Sequence, residues 1–579
     1  MRWSGVAAAS GIAIGPVRLL REEAPPERRR LLPGQEAVEL GRLEAALLLA
    51  EQQLASICES LTERGQEEEA EIFEGHLLFL QDEELIGRAR SIVNEEKVSA
   101  EFAVDTAMQE TVAVIESLDD AYLRERAADI RDVMRRVIRI LSGSETEGAQ
   151  AGAGEPEIWV ASELSPSDTA RLNPQTTAGF ISALGGRTSH SSILARSLGI
   201  PAVVGLGERV LDELKDGQVV IVDGSLGELW IDPDAAQLAE YRQKARQLAD
   251  RQTYYASFRE RPTVTLDGIH PELVSNIGSP QEAEAAAREG AEGVGLFRTE
   301  FLYMERSALP TEEEQYAAYA AVVRAFTPEA PVIIRTMDIG GDKELPALEL
   351  PKEDNPFLGY RAIRISLDRP ELFRTQLRAV LRASAQGNVK LMFPMIATVG
   401  EWRKARAMLE DVKAELQTEG IPFNPNLETG VMIEVPSAAL MADRLAKEVD
   451  FFSIGTNDLV QYTMAADRMN PKLSYLSDPL HPAVLRLIAQ VIRAAERQGK
   501  WVGMCGEMAG QPHAVPVLLG LGLHEFSMNS LSVPRTRALL ARLDARKLRP
   551  LAEAVLELDD PGEVKTYIEE RIPWIREFV

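Results

Sequence analysis

Hydrophobic residues change their spacing three times along the chain, and each change marks a different kind of structure. Within the first twenty residues, SGVAAASGIAIGPVRLL predicts a strand, a glycine turn and a second strand. From residue 22 to 141 apolar residues recur at three- and four-residue spacing, in AVELGRLEAALLLAEQQLASICESL, AEIFEGHLLFLQDEELIGRARSIV, SAEFAVDTAMQETVAVIESL and AYLRERAADIRDVMRRVIRIL. Nearly free of proline and of β-branched runs, this region predicts four amphipathic helices with short connections. A polar, glycine-rich stretch, SGSETEGAQAGAGEPE (142–157), follows as a linker.

Between 158 and 232 the pattern turns to short apolar runs: IWVASEL, AGFISAL, AVVGL, QVVIVDG and ELWID, with one helix after His190. These predict an α/β domain whose sheet the opening residues complete, so that 1–21 and 142–232 form one domain and 22–141 is an insertion. Residues 233–261 read as a polar helical connector. From 262 to 579 come ELVSNIG, GVGLFRT, PVIIRTMD, VKLMFPMI, GVMIEVP, DFFSIGTND, WVGMCGE and HEFSMN, separated by helical stretches. Eight strand–helix units over roughly 310 residues predict a (β/α)8 barrel rather than an open doubly wound sheet. The expected fold is therefore multidomain α/β: a swivelling α/β domain with an inserted helical bundle, then a barrel.

Composition narrows the setting. At 579 residues the chain exceeds a single core. It has no uncharged apolar run of about eighteen residues and no signal-peptide pattern, so membrane insertion is not expected. Two distant cysteines, Cys58 and Cys505, suit a reducing cytoplasm. A net charge of −27 argues against a nucleic-acid backbone as partner and accommodates a basic protein.

In such a barrel, chemistry belongs at the C-terminal strand ends. Those ends carry Arg298, Arg335, Glu434, Asn457, Asp458 and Cys505. The forked guanidinium suits paired phosphate or carboxylate oxygens, and Arg361 and Arg468 add to that set. Glu434 and Asp458 offer the hard oxygen ligands that favour Mg²⁺. Together they describe a site for a small phosphorylated acid and a divalent metal. Cys505 fits a proton donor, because an ordinary thiol is mostly protonated at neutral pH. His190 stands where a helix begins, among glycines and Thr188, Ser189, Ser191 and Ser192. A neutral imidazole attacks phosphorus, and a helix N-terminus stabilises the phosphate that results.

The segments GGRTSHSSILARSLGIPAVVG, GAEGVGLFRTEFLYMERSALPTEEEQYAAY, IIRTMDIGGDK, NPFLGYRAIR, MIEVPSAAL, FFSIGTNDLVQYTMAADR and GMCGEMAG strongly resemble the phosphoenolpyruvate-utilising enzymes, and among them the Enzyme I phosphotransferases of bacterial sugar transport. The resemblance runs along essentially the whole chain. It implies that His190 is phosphorylated through Nε2, with Thr169 hydrogen-bonded to it. It implies that Arg298, Arg335, Asn457, Asp458 and Arg468 hold phosphoenolpyruvate, with Arg361 nearby, and that Glu434 and Asp458 bind Mg²⁺. Cys505 would protonate the enolate to give pyruvate, the helical insertion would dock the phosphocarrier HPr, and the barrel would form a homodimer. Departures are small: Ser191 stands where threonine is frequent, Tyr360 where tryptophan is common, and AAASGIAIG lacks a usual proline. A pyruvate phosphate dikinase or phosphoenolpyruvate synthase, the nearest rival, would need a nucleotide-binding domain; only about 157 mainly helical residues precede the α/β segment, and no G-x-x-x-x-G-K-[ST] loop occurs. A phosphoenolpyruvate sensor or a plain barrel lyase would leave His190 without a purpose.

Overall fold

Three short strands open the chain, β1 (Arg2–Ser4), β2 (Val6–Ala9) and β3 (Ile12–Leu19), and none of them pairs with another of the three. The structure, a computed structural model, describes residues 1–20, 25–63, 67–117, 121–143, 155–164, 166–169, 172–186, 189–304, 306, 308–340, 346–348, 350 and 353–579. Its contacts divide into two units, Met1–Arg251 and Gln252–Val579.

In the first unit the partners of the opening strands are β4 (Glu157–Ala161), β5 (Thr177–Ser182), β6 (Ala202–Val204), β7 (Val219–Asp223) and β8 (Glu228–Ile231). The sheet order is β1-β8-β7-β3-β4-β5-β6-β2. β3 is central, parallel to β4 and antiparallel to β7, and its alternate residues Ala13 and Val17 pack into the core with Ile158 and Val222. Among the described residues between β3 and β4 run the helices Glu36–Glu63, Glu67–Leu80, Glu83–Glu96, Ala100–Glu116 and Ala121–Ser142. These are five helices where the periodicity predicts four. The second predicted segment breaks at Asp82, whose backbone is extended (φ −70°, ψ 107°) and whose carboxylate accepts the N–H groups of Glu84 and Leu85. That is an N-cap, and it starts a new helix without disturbing the apolar spacing on either side. The bundle buries its own core, including Leu43, Leu54, Ile92, Val104 and Val137. The linker residues 144–154 lie outside the described residues. Beyond β8, helix Ala235–Ala256 buries only Tyr241, in keeping with its polar sequence.

The second unit contains β9 (Glu272–Ile277), β10 (Val294–Arg298), β11 (Val332–Arg335), β12 (Val389–Phe393), β13 (Glu428–Ile433), β14 (Phe451–Ile454), β15 (Trp501–Met504) and β16 (Glu525–Met528). They form a closed parallel barrel, β16 returning to β9 through the pair Glu525–Glu272. All eight strands predicted from the sequence are present. Alternation explains their hydrophobic runs. Ile333, Met392, Met432 and Phe451 fill the barrel with Cys505, while Leu391, Val431 and Phe452 face the surrounding helices. Among the described residues no helix is long and apolar enough to cross a membrane.

Glu525, on the inward face of β16, departs from the apolar filling. Glu525 is fully buried, neither carboxyl oxygen has a hydrogen-bond partner among the described residues, and burial beside Glu272 pushes its carboxyl up to about 8. The folded barrel therefore holds a proton that the unfolded chain releases near 4.5. Stability from the protonated carboxyl is present below pH 4.5 and is lost as pH rises through 8. Glu525→Gln is expected to match the parent in urea unfolding near pH 4.5 and to exceed it at pH 9 by at least about 1.4 kcal/mol, the equivalent of one pKa unit. Equal stabilities at pH 9 would count against this assignment.

Candidate functional site

Arg335, the last residue of β11, is nine-tenths buried, and its charge is met on two sides. Nη2 donates to Glu300 Oε1 at 2.6 Å and Nη1 lies 2.9 Å from Asp338 Oδ2. Its Nε has no partner among the described residues. Asp338 in turn receives Arg361, whose Nε donates to Oδ1 at 3.0 Å and whose Nη2 donates to Oδ2 at 3.2 Å. The other edge of Arg361 reaches Asp458, at 3.0 Å to Oδ1 and 3.4 Å to Oδ2, and Arg468 approaches the same carboxylate at 3.8 Å. The result is a row of alternating charge, Glu300–Arg335–Asp338–Arg361–Asp458–Arg468, laid across the loop end of the barrel. Burial opposes charge on Arg335 and Arg361, but the carboxylates on either side overcome it and hold both firmly protonated.

Glu434 follows β13 directly and accepts the N–H of Met395 at 2.6 Å. Burial, then Asp458 and Asp338, push its carboxyl up to about 8, with Arg361 and Arg335 pulling the other way. The backbone is strained where it serves this row: Met395 and Ala362, the neighbour of Arg361, both have positive φ (55° and 54°). Non-glycine residues in that region cost on the order of 1–3 kcal/mol and are held there only by their surroundings. Cys505 follows β15, buried, its Sγ–H directed at Ile454 O at 3.8 Å. Burial pushes the thiol up to about 11, so it keeps its proton at neutral pH. Gly506 brings the Cys505 loop against helix Thr456–Met464. A Cβ there would stand 1.8 Å from Thr456 Oγ1, so no other residue fits.

Of the residues predicted from sequence, Arg335, Arg361, Glu434, Asp458, Arg468 and Cys505 share this rim. Arg298, at the end of β10 and in register with Arg335, has no side-chain partner among the described residues. Asn457 occupies the first turn of helix Thr456–Met464 with its side chain exposed. Sequence reasoning missed Asp338 and Glu300, the carboxylates that aim the arginines, and Tyr462, which donates its hydroxyl hydrogen to Phe357 O and accepts from Arg361 at 3.3 Å. Asp338 and Glu300 fall inside the quoted segments IIRTMDIGGDK and GLFRTEFLY, but nothing in their spacing separates them from surface acids.

A divalent metal can be tested against these side chains. No three carboxylate, histidine or cysteine side chains among the described residues gather as a complete site. Glu434 and Asp458 nevertheless face one another closely enough for Asp458 to raise the Glu434 carboxyl. Mg²⁺ commonly takes one or two carboxylates and completes its shell with water and substrate oxygens, so this pair fits it.

The other predicted centre lies in the first unit. His190 opens helix His190–Leu198 with Ser189 as its N-cap. Arg187 and Thr188 lie outside the described residues, as does the side chain of His190. The serines are turned inward: Ser189 and Ser192 both donate to Gly186 O, at 2.9 and 2.8 Å, and Ser191 is buried. They brace the glycine turn. Thr169 ends the short helix Pro166–Thr169, which packs on helix His190–Leu198, and is itself buried.

Family profiles match the chain as the N-terminal region of a PEP-utilising enzyme over residues 4–126, its mobile domain over 153–227 and its PEP-binding domain over 252–545. The phosphoenolpyruvate-protein phosphotransferase of Geobacillus stearothermophilus is 50% identical over 564 residues, 97% of either chain. That of Bacillus subtilis (strain 168) is 48% identical over 567 residues, 98% of this chain and 99% of its own. An NMR structure described as Enzyme I (nEIt) is 37% identical and matches 43% of this chain and 99% of its own, with a TM-score of 0.36. Removing the centre of the charge row should be costly whatever the site binds. Arg361→Met would leave Asp338 and Asp458 buried without their shared cation, an expected loss of about 3–5 kcal/mol in chemical unfolding of the barrel. A loss below about 1 kcal/mol would show that the row is not a structural unit.

Proposed function

The chain belongs to the phosphoenolpyruvate-utilising enzymes, as a phosphoenolpyruvate–protein phosphotransferase, and on that premise we propose that it carries the phosphoryl group to the phosphocarrier HPr by way of His190, releasing pyruvate. It would do so in the cytoplasm, as the first step of a sugar phosphotransferase system, and as a homodimer through its barrel. The observation that supports this best is the convergence on one rim of buried arginines, a carboxylate pair and a protonated thiol.

The roles follow from the chemistry of each group. Arg298, Arg335, Arg361 and Arg468 bind the phosphate and carboxylate of phosphoenolpyruvate, with Asn457 and Asp458 at the edge of the pocket. The Arg335 Nε that lacks a partner among the described residues is a donor ready for an anion. Glu434 and Asp458 would hold Mg²⁺, which when bound would supply positive charge to the phosphoryl oxygens. The His190 Nε2 lone pair attacks phosphorus in line while the bond from phosphorus to the enol oxygen breaks and its electrons stay on oxygen. The enolate then takes the Cys505 proton at carbon, giving pyruvate, and the thiolate recovers a proton from solvent. A thiol near 11 is a weaker acid than an ordinary one, which keeps it in the donor form until the enolate develops.

Thr169 orients the imidazole, and the N-terminus of helix His190–Leu198 stabilises phosphohistidine. Residues 1–21 with 142–232 act as the phosphohistidine domain, 22–141 as the HPr-docking insertion, 233–261 as the linker and 262–579 as the phosphoenolpyruvate-binding barrel. Two acceptors cannot occupy one fixed position, so the phosphohistidine domain swivels between them.

Incubation with ³²P-labelled phosphoenolpyruvate and Mg²⁺ is expected to place acid-labile, base-stable label on His190, chased onto HPr when that protein is added. His190→Ala should take up none. Cys505→Ala should slow pyruvate release by about 10²–10⁴-fold, the usual worth of a positioned acid. An intact protein that never becomes labelled would end this reading.

A further inference from the structure

Arg361 and Arg468 share more on the upper rim than a carboxylate. Both approach Asp458, and both also lie over the ring of Phe357, their guanidinium carbons 6.0 and 5.6 Å from its centroid. Arg361 is fixed by Asp338 and Asp458, whereas Arg468 stands 3.8 Å from Asp458, beyond hydrogen-bond reach. Two like charges so close to one another need a common counterweight. The negative face of a phenyl ring supplies part of it, the more so where water is kept out.

Apolar burial does not hold that ring in place. Phe357 lies in the single turn Pro356–Leu358, in the loop after β11; it is half-buried, and Leu358 beside it is 66% exposed. Side chains pin the loop instead. Three successive carbonyls accept from them: Phe357 O from the Tyr462 hydroxyl, and Leu358 O and Gly359 O from Arg364 Nη1 at 3.0 and 2.6 Å. Glu353 in turn accepts the N–H of Tyr360 at 2.9 Å.

Tyr462 joins this loop to the charge row. Its hydroxyl gives its hydrogen to Phe357 O and accepts from Arg361 Nη1 at 3.3 Å. It stands on helix Thr456–Met464 four residues after Asp458, a spacing that puts both on one face. The same helix ends in a left-handed turn at Ala465 (φ 51°), and Gln461 Oε1 takes the Arg468 N–H at 3.1 Å. The chain thereby doubles back and returns Arg468 to the ring. One phenyl, one hydroxyl and two guanidiniums are thus tied together from segments that follow β11 and β14, three strands apart around the barrel.

We propose that Phe357 and Tyr462 are positioning residues of the anion site: the Phe357 ring sets where the Arg361 and Arg468 guanidiniums stand, and the Tyr462 hydroxyl holds that ring in place against Arg361. Neither supplies a group to the reaction. Each acts through the arginines, so its loss is read in how tightly phosphoenolpyruvate is held, which rests on the reading that this rim takes phosphoenolpyruvate.

Calorimetric titration of phosphoenolpyruvate with Mg²⁺ into the full chain carrying His190→Ala measures this binding without phosphoryl transfer. In that background Phe357→Leu keeps an apolar side chain but loses the ring face, Phe357→Tyr keeps the face, and Tyr462→Phe loses only the hydroxyl. Phe357→Leu and Tyr462→Phe are each expected to weaken binding at least fivefold, and Phe357→Tyr to stay within twofold of the His190→Ala protein. The double variant Phe357→Leu/Tyr462→Phe should bind within twofold of the weaker single one, because the two residues work as one unit. Undiminished binding in either Phe357→Leu or Tyr462→Phe would overturn the proposal. So would a loss in Phe357→Tyr equal to that in Phe357→Leu, which would make the effect one of packing, or losses that multiply in the double variant. A His190→Ala protein that binds no phosphoenolpyruvate at all would be a different failure: it would remove the assignment of the rim to that substrate, and this proposal with it.

Discussion

Three arginines and three carboxylates alternate across the upper rim of the barrel, and the geometry of the site depends on that alternation. Each of the four interior members of the row, from Arg335 to Asp458, has an opposite charge on both sides. Moving a single ion into such a place costs several kcal/mol, and an isolated pair often fails to recover it. A row does better, because every interior charge is counted against two neighbours. The same arrangement fixes the guanidinium planes before any anion arrives. Ordering long side chains is a large part of what association otherwise costs, so arginines already aimed by Asp338 and Glu300 leave more of the binding energy for the ligand.

Glu434 takes its properties from burial and from this row. Negative neighbours and burial keep the Glu434 carboxyl reluctant to ionise, while Arg335 and Arg361 restrain the rise. Cation binding and ionisation at that carboxyl are thereby linked: whatever brings positive charge to Glu434 also releases its proton. The thiol of Cys505 is buried a short way along the same rim and stays protonated for the simpler reason that its surroundings are apolar. A protonated thiol and a carboxyl that holds its proton well above the usual range thus stand on one rim, from two side chains that would both be anionic if each were solvated at high pH.

How much of this could be read from the sequence varies with the physics involved. The barrel strands were legible because both of their faces are buried, which leaves continuous runs such as VIIR and FFSI. The strand-end position of Arg335, Glu434 and Cys505 followed from the same count. The break at Asp82 was not legible, since a cap depends on the backbone angle of one residue and leaves the apolar spacing intact. Asp338 and Glu300 were missed because an acid a few residues from an arginine is common on any surface; only closure of the barrel shows that these two are buried. The direction of the Ser189 and Ser192 hydroxyls, both donated to Gly186 O, was not legible, because sequence gives hydroxyls but not where they point. Glu525 escaped notice entirely: HEFSMN looks like an ordinary strand, and its one acid becomes unusual only when the barrel closes around it.

The position of β3 has a consequence for how the chain assembles as it is made. Its flanking partners, β4 and β7, are supplied by residues beyond 156 and beyond 218 respectively. The segment between β3 and β4 that carries the helical bundle buries its own core. During synthesis the bundle can therefore mature while the leading β-segment still waits, unpaired, for sequence that the ribosome has not yet delivered. Order of emergence and order of completion run opposite ways here: β3 leaves the ribosome before its partners and is among the last of its unit to find a place.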